Sequence, residues 1–270
     1  DSLISGKLAL LSSERRNVGP ATETSMNLTV VISGKFYDVD VSRPGSLAIP
    51  LEFDGAQPRF FNAPGARSEP FRQSGFVGNT AQGGSCNVSE LRLVPHCNGT
   101  HTESAGHIVD GEAPVTDALT QSVLPATLVS VTPVPAEESG ESYEPLPAAT
   151  DRVISRSMLS DILAGLPDEQ VIALIIRTRP NDRSKVERDY GAGPVPPYFT
   201  GEAMRYLSGR GVDHLIVDMP SIDRMNDEGR LSNHRIFWNI PSGSRELGPE
   251  SHSHRTITEM VYVDDDIVDG

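Results

Sequence analysis

Apolar residues form the clearest pattern in the second half of the chain. Residues 171–176 (VIALII) are a continuous apolar run, which is typical of a strand buried on both faces, and residues 214–217 (HLIV) predict a second buried strand. Between them, Thr200 can cap a helix that continues to about Leu207, because Gly209 then breaks it. A strand, a helix and a strand in this order predict a parallel βαβ unit.

Shorter patterns predict the remaining regular elements. Residues 26–41 suggest a pair of strands with Ser33-Gly34-Lys35 at the turn, and residues 256–263 alternate as a strand. Ser157 can cap a short helix that ends at about Ala164.

Polar stretches separate these elements. Residues 42–90 and 242–255 are interpreted as loop insertions, and residues 132–149 as an acidic, Pro-rich and solvated connection. The aromatic residues within 42–90 indicate that this loop packs on the rest of the protein, as a lid or a pocket wall. The sequence contains no internal repeat and no clear domain boundary. We therefore predict one α/β domain over residues 1–270.

Composition narrows the possible functions. The chain has 270 residues, is 37% hydrophobic and carries a formal net charge of −14. No Lys/Arg patch approaches the basic stripe of a nucleic-acid binder, and no apolar run reaches the roughly 18–20 residues that span a bilayer. Two cysteines do not make a disulfide framework. We therefore expect a cytoplasmic protein that binds neither nucleic acid nor membrane.

Candidate metal ligands are concentrated in residues 96–107 (HCNGTHTESAGH). This run holds three of the seven histidines, one of the two cysteines and a glutamate. Imidazole, thiolate and carboxylate groups are the side chains that hold divalent transition metals. The run therefore predicts a metal site.

The spacing within this run restricts its conformation. A single helix cannot gather the ligands, because Glu103 would point roughly 200° away from His101. On a strand, His101 and Glu103 share one face and lie about 6–7 Å apart, close enough to converge on one ion or a pair of ions. Cys97 would be too far from His101 on a fully extended chain. We therefore predict a bend at Asn98-Gly99, followed by a short strand.

Two later residues allow either a structural or a functional interpretation. Glu259 shares a strand face with Ile257 and Val261, so it points either into the core as a paired or metal-bound acid, or into solvent if the opposite face is buried. His234 precedes a probable strand, and a lone histidine there is more often structural than a ligand. A turn at residues 218–223 follows a predicted strand at its carboxyl end, where α/β proteins place their sites.

Residues 97–107 resemble the signature of the Putative cyclase family, whose usual pattern is H-x-G-T-H-x-D-x-P-x-H and which includes bacterial kynurenine formamidases and isatin hydrolases. The resemblance extends to residues 37–42 (YDVDVS), which are similar to the family's early strand entering the site, to the turn at 218–223, to His234 and to residues 257–259 (ITE). It implies a swivelling β/β/α-type α/β fold, a single domain with a mixed sheet.

The resemblance also implies roles for individual residues. It assigns Cys97, His101, Glu103, His234 and Glu259 as ligands of one or two divalent ions, and His107 as the catalytic acid and base. Cys97 stands where the family has histidine, and the adjacent His96 is an alternative first ligand. Glu103 and Ala105 replace the usual Asp and Pro. Cysteine in place of histidine favours zinc over manganese.

The implied function is metal-dependent hydrolysis of an amide or cyclic-amide C–N bond in a small molecule, similar to N-formylkynurenine or a lactam. The alternative is a catalytically silent family member that binds a small ligand or a partner, which the changes at Cys97 and Glu103 motivate. The resemblance also implies a homo-oligomer. A serine hydrolase is not supported, because the sequence contains no G-x-S-x-G elbow.

Overall fold

The computed structural model describes residues 26–32, 34–42 and 44–270. Ser33 of the predicted turn and residues 1–25 lie outside this range, so the assignment of residues 1–270 to one domain stays a prediction. The strands are β1 Asn27–Ile32, β2 Lys35–Asp40, β3 Arg67–Pro70, β4 Arg72–Gln73, β5 Phe76–Val77, β6 Ser89–Arg92, β7 His101–Glu103, β8 Ala126–Val131, β9 Val134–Pro135, β10 Arg152–Ile154, β11 Ala173–Thr178, β12 Tyr198–Phe199, β13 His214–Val217 and β14 Thr256–Glu259. The α-helices are α1 Pro95–Asn98, α2 Val115–Ala118, α3 Ala136–Ser139, α4 Arg156–Ile162, α5 Gly201–Gly209 and α6 Ser232–Trp238.

A mixed five-stranded sheet forms the centre of this α/β fold. Its strand order is β7-β14-β13-β11-β8, and β7 at one edge is antiparallel to β14 whereas the other neighbours are parallel. The predicted strands at 171–176 and 214–217 are confirmed as the parallel neighbours β11 and β13, although β11 begins at Ala173 and continues to Thr178. The predicted helix between them is α5, where the hydroxyl of Thr200 accepts a hydrogen bond from Ala203 N at 3.0 Å.

Helices α4, α5 and α6 supply the apolar side chains that cover this sheet. The main core cluster contains residues from the strands and from all three helices: Leu174, Ile176, Leu215, Val217, Ile257, Leu159, Met204, Leu207, Phe237 and Trp238. The buried indole of Trp238 also donates a hydrogen bond from Nε1 to Arg255 O at 3.0 Å. Packing and this hydrogen bond together fix the position of α6 against the sheet.

Several sequence predictions differ from the structure in detail. Helix α4 is capped by Ser155, whose hydroxyl accepts from Met158 N, and not by Ser157, so the helix begins and ends earlier than predicted. The stretch 132–149 is not only a solvated connection, because it contains β9, α3 and the buried side chain of Tyr143. The last strand, β14, ends at Glu259.

The two insertions and the first strands show mixed outcomes. Residues 242–255 contain no helix or strand, as expected for a loop, whereas 42–90 includes the short strands β3 to β6. The predicted pair of strands in 26–41 is confirmed as β1 and β2. However, β2 forms a two-stranded hairpin with exposed side chains that is separate from the five-stranded sheet, and the entry of residues 37–42 into the site stays a prediction.

None of the helices in the described part of the chain is both long enough and apolar enough to cross a membrane.

Arg177 in β11 ties the C-terminal segment to the sheet. Its side chain is 2% exposed and donates from Nη1 to Asp264 O at 2.7 Å and to Ile267 O at 2.9 Å. Nη2 donates to Asp269 Oδ1 at 2.8 Å, and Nε donates to Ser130 Oγ at 2.9 Å. A buried guanidinium with this many partners is a structural residue, because each partner would lose a hydrogen bond without it.

Replacing Arg177 tests this role. We expect Arg177→Met to lower the free energy of unfolding by about 3 kcal/mol, because two backbone carbonyls, a hydroxyl and a carboxylate lose the buried guanidinium that donates to them. The control is Arg179→Met, which removes only an exposed ion pair with Asp265 and should cost at most about 1 kcal/mol. Urea denaturation followed by circular dichroism measures both values, and equal losses would contradict the assignment.

Candidate metal centre

The predicted ligands of residues 96–107 lie at the edge of the five-stranded sheet. Pro95 begins the one-turn helix α1, which ends at Asn98, and the chain then bends at Gly99 into β7. The predicted bend and short strand are both confirmed. His101 pairs with Glu259 of the neighbouring β14 in the antiparallel register, and the two side chains therefore share a sheet face with Glu103.

Helix α6 brings His234 onto this face of the sheet. His234 lies inside the helix and not before a strand, so the predicted local structure was wrong. Its Nε2 is 2.7 Å from Glu103 Oε1 and 3.7 Å from Glu259 Oε1. His101 Nε2 is 3.5 Å from Glu259 Oε2. Four of the five predicted ligands therefore converge, although they come from three separate elements.

The side chain of Glu259 points into the protein and not into solvent. Glu259 is 4% exposed, and Glu103 and His234 are similarly buried, so the interpretation of Glu259 as a solvent-exposed residue is wrong. Among the described residues, the buried side-chain polar atoms without a hydrogen-bond partner include His101 Nε2 and Glu103 Oε2. Unpaired buried donors and acceptors are costly, and a divalent cation between them would satisfy both. The residues present therefore fit a metal ion.

Hydrogen bonds behind the imidazoles point their free nitrogens at the cluster. His101 Nδ1 is 3.0 Å from Gly99 O and His234 Nδ1 is 2.6 Å from Asp223 Oδ2, so each ring carries a proton on Nδ1 and directs Nε2 into the cluster, where that of His234 contacts Glu103. The backbone N–H of Ile222 donates to Glu259 Oε1 at 2.8 Å and holds that carboxylate in place. This arrangement is typical of metal-binding histidines and carboxylates.

Sequence reasoning noted the turn at 218–223 but did not assign a role to Asp223. Its Oδ1 accepts from Tyr143 Oη and from Asn233 N, both at 2.7 Å, while its Oδ2 faces His234. The only signal in the sequence was its position just after a strand. Asp218 of the same turn instead pairs with Lys185 at 2.7 Å and is structural.

The charged groups of the cluster shift one another's pKa values. Burial alone would raise the pKa of Glu103, but the neighbouring imidazole of His234 holds it well below its usual range. Burial and the charge of Glu103 raise the pKa of Glu259, and burial lowers the pKa of His107 to about 4. A bound cation would replace the protons that now balance these carboxylates, which couples metal binding to proton release.

His107 and His96 lie at the more exposed side of the cluster. Their Nδ1 atoms are 3.5 Å and 3.2 Å from Glu103 Oε2, and their rings stack with centroids 4.4 Å apart. The ligand atoms of His96, Glu103 and His107 lie within 4.8 Å of one another, as do those of Glu103, His234 and Glu259. Glu103 belongs to both groups and would be the residue they share if each group held an ion.

Cys97 is not brought into either of these groups. Its side chain is 8% exposed and packs in an apolar cluster with Ile49, Phe60, Tyr190 and Met260. Burial in this environment raises the pKa of the thiol, which disfavours the thiolate that binds metal. The assignment of Cys97 as a ligand stays a prediction, and His96 is the neighbouring residue whose imidazole reaches Glu103.

Two cavities give access to the cluster. An open cleft of about 530 Å³ is lined by Glu103 and residues 111–115, and a smaller cavity of about 70 Å³ is lined by Phe60, Phe61, His234 and Glu259. His96 and His107 line both cavities. His107 therefore shares one cavity with Glu103 and the other with Glu259.

Comparison with known proteins supplies an independent result. The model of the Putative cyclase family matches residues 27–224 of this chain. No curated relative matches the sequence. The chain is similar to a structure described as a predicted metal-dependent hydrolase from Bacillus stearothermophilus, with 16% identity over 83% of this chain and 84% of that chain and a TM-score of 0.48. It is also similar to isatin hydrolase A from Labrenzia aggregata bound to benzyl benzoate, with 14% identity over 90% of this chain and 82% of that chain and a TM-score of 0.46.

Replacing Asp223 tests whether it orients a metal ligand. In Asp223→Asn, the amide oxygen can still accept from Tyr143 and Asn233 while the amide nitrogen faces His234 Nδ1. The ring must then carry its proton on Nε2, which blocks ligation. We expect the affinity for zinc to fall about 10–100-fold, measured by competition with a chromophoric chelator.

The control for this variant is Tyr143→Phe. It removes one hydrogen bond to Asp223 but leaves the contact with His234 intact, so zinc affinity should change much less. Unchanged zinc affinity in a folded Asp223→Asn protein would exclude the proposed tautomer effect.

Proposed function

The chain belongs to the Putative cyclase family, and on that premise we propose that it is a metal-dependent hydrolase that cleaves an amide or cyclic-amide C–N bond in a small molecule. The observation that carries the proposal is the buried convergence of His101, Glu103, His234 and Glu259, in which two of the candidate ligand atoms form no hydrogen bond. Burying two carboxylates and two imidazoles costs desolvation free energy, and metal binding would compensate for this cost.

The proposed ligands suit zinc, with manganese as the alternative metal. Two imidazoles and two carboxylates from β7, β14 and α6 form the core of the site, and the first ligand position belongs to Cys97 or His96. A divalent ion held there supplies Lewis acidity, which polarises a substrate carbonyl and lowers the pKa of a bound water. Glu103 would bridge if the site holds two ions.

His107 is the proposed acid and base. It lies 3.5 Å from Glu103, is partly exposed, and lines both cavities that lead to the site. From this position His107 can accept a proton from the attacking water and return it to the leaving nitrogen. Phe60 and Phe61 line the smaller cavity and offer apolar surface to a planar substrate.

The alternative function is a catalytically silent family member that binds a small ligand. The observation that favours it is the apolar packing of Cys97 at the position where the family has a histidine. The predicted cytoplasmic location and homo-oligomer also stay predictions. Hydrolysis of a panel of N-formyl amides and lactams would exclude the silent member.

Metal content is the first test of this proposal. We expect the purified protein to contain about one or two equivalents of zinc or manganese, and His101→Ala to lose them, because the buried Nε2 is a ligand. Atomic emission spectrometry measures the metal, and hydrolysis of the N-formyl and lactam panel measures activity. A fully active protein without metal would contradict the mechanism.

Two variants in the same assay decide the first ligand position. If Cys97 is the ligand, we expect Cys97→Ala to bind less metal. If His96 is the ligand instead, we expect His96→Ala to bind less metal and Cys97→Ala to retain it. His254→Ala is the matched control, because this exposed histidine contacts Asp213 and not the cluster.

Replacing His107 separates catalysis from metal binding. We expect His107→Ala to lower kcat by about 10²–10⁴-fold while the core ligands retain their metal, because a proton carrier is lost. Activity and metal content are measured on the same preparation. Loss of the metal in parallel with activity would make His107 a ligand, and unchanged kcat would remove it from the mechanism.

A further inference from the structure

A separate cleft of about 520 Å³ lies beside α5 and α6. None of the proposed metal ligands lines it, and neither does His107. Its lining includes Arg205, Arg230 and Arg235, together with the apolar side chains of Ile236 and Ile240. The volume falls within the range of ordinary small-molecule sites.

Arginines outnumber acidic residues in the lining of this cleft. The chain carries a net charge of −14, yet three arginines and only one acidic residue, Glu144, line the cleft. Within the described residues, no carboxylate oxygen forms an ion pair with Arg205 or Arg235. The nearby Glu202 uses both of its carboxylate oxygens to accept hydrogen bonds from Ser142.

The three arginines differ in how they are held. Arg235 is fixed, because its Nη1 donates to Pro241 O at 3.0 Å and to Ser244 O at 2.8 Å while Nε donates to Arg230 O. These acceptors are neutral carbonyls, so they do not cancel its charge. Arg205 and Arg230 are both exposed, and Arg230 is held only by exposed ion pairs with Glu144 and Glu228. The cleft therefore combines one fixed and two exposed guanidinium groups.

The acidic side chain of Glu144 pairs with one of the arginines of the cleft. Its carboxylate, whose side chain is 75% exposed, pairs with Arg230 Nη1, while Glu228 holds the other side of Arg230 at 3.1 Å. An exposed ion pair of this kind is worth about 0–1 kcal/mol, so a stronger anion can displace Glu144 from Arg230. The carboxylate of Glu144 thus shows that an oxyanion can reach Arg230 at this cleft.

We propose that this cleft binds a small organic phosphate monoester. Arg205 and Arg230 would contact the phosphate, since guanidinium groups match phosphate oxygens in a bidentate geometry. Arg230 pairs with both Glu144 and Glu228, whereas Arg205 and Arg235 form no ion pair, and two guanidinium groups without a carboxylate favour a dianion over a single carboxylate. Ile236, Ile240 and Pro241 offer apolar contacts for the organic part of the ligand. This proposal is independent of the hydrolase function, because the two sites share no ligand-binding residue.

Isothermal titration calorimetry with phenyl phosphate tests the proposal on the purified, metal-containing protein. We expect one binding event in the wild type that weakens about tenfold in Arg205→Gln and in Arg230→Gln, because each removes a charge-assisted contact. Arg92→Gln is the matched control, since this exposed arginine pairs with Glu90 in a different sheet and its loss should not change the affinity.

The variant Glu144→Gln distinguishes a lost binding site from a misfolded protein. It removes the carboxylate that pairs with Arg230, so we expect phenyl phosphate to bind more tightly. Misfolding could only weaken binding. Benzoate should bind more weakly than phenyl phosphate, and phenol should not bind. Binding that is lost in His101→Ala but unchanged in both arginine variants would place the anion at the metal centre and overturn the proposal. Absence of binding, or equal affinity for phenol, would also overturn it.

Discussion

The contact between Glu103 and His234 is the interaction on which the candidate site depends. It joins the edge strand β7 to helix α6 at 2.7 Å, and both side chains are buried. A carboxylate at this depth needs compensation, which His234 supplies directly and Asp223 supports from behind the ring. Since Trp238 of α6 packs in the main core, the site forms its full set of contacts only when this helix packs correctly on the sheet.

This constraint explains why the site is rigid on one side and open on the other. Glu259 and His101 are held by backbone groups at Ile222 and Gly99, so their positions follow from the sheet and its connections. His96 and His107 are more exposed and have fewer fixed partners. The buried side therefore suits metal binding, which needs a preformed geometry, and the exposed side suits proton exchange with a substrate.

Short sequence patterns correctly predicted those elements whose structure depends on residues adjacent in the sequence. Strand β13 and the Thr200 cap of α5 follow directly from an apolar run and a capping residue. The cap of α4 was misplaced because Ser155 and Ser157 are chemically equivalent candidates, and only the packing of the helix selects between them. The helical position of His234 was missed for a similar reason, since a seven-residue helix carries too short a pattern to distinguish from a strand.

The sequence by itself determined the side chains available as candidate ligands, the bend at Asn98-Gly99 and the shared face of His101 and Glu103, because these depend on a short stretch of chain. Only the tertiary structure decided that Glu259 is buried beside His101, that Asp223 orients His234, and that His96 rather than Cys97 reaches Glu103. Those facts depend on strand pairing and helix packing between residues far apart in the chain. No local pattern encodes such contacts, because one antiparallel register or one helix orientation changes which side chains meet.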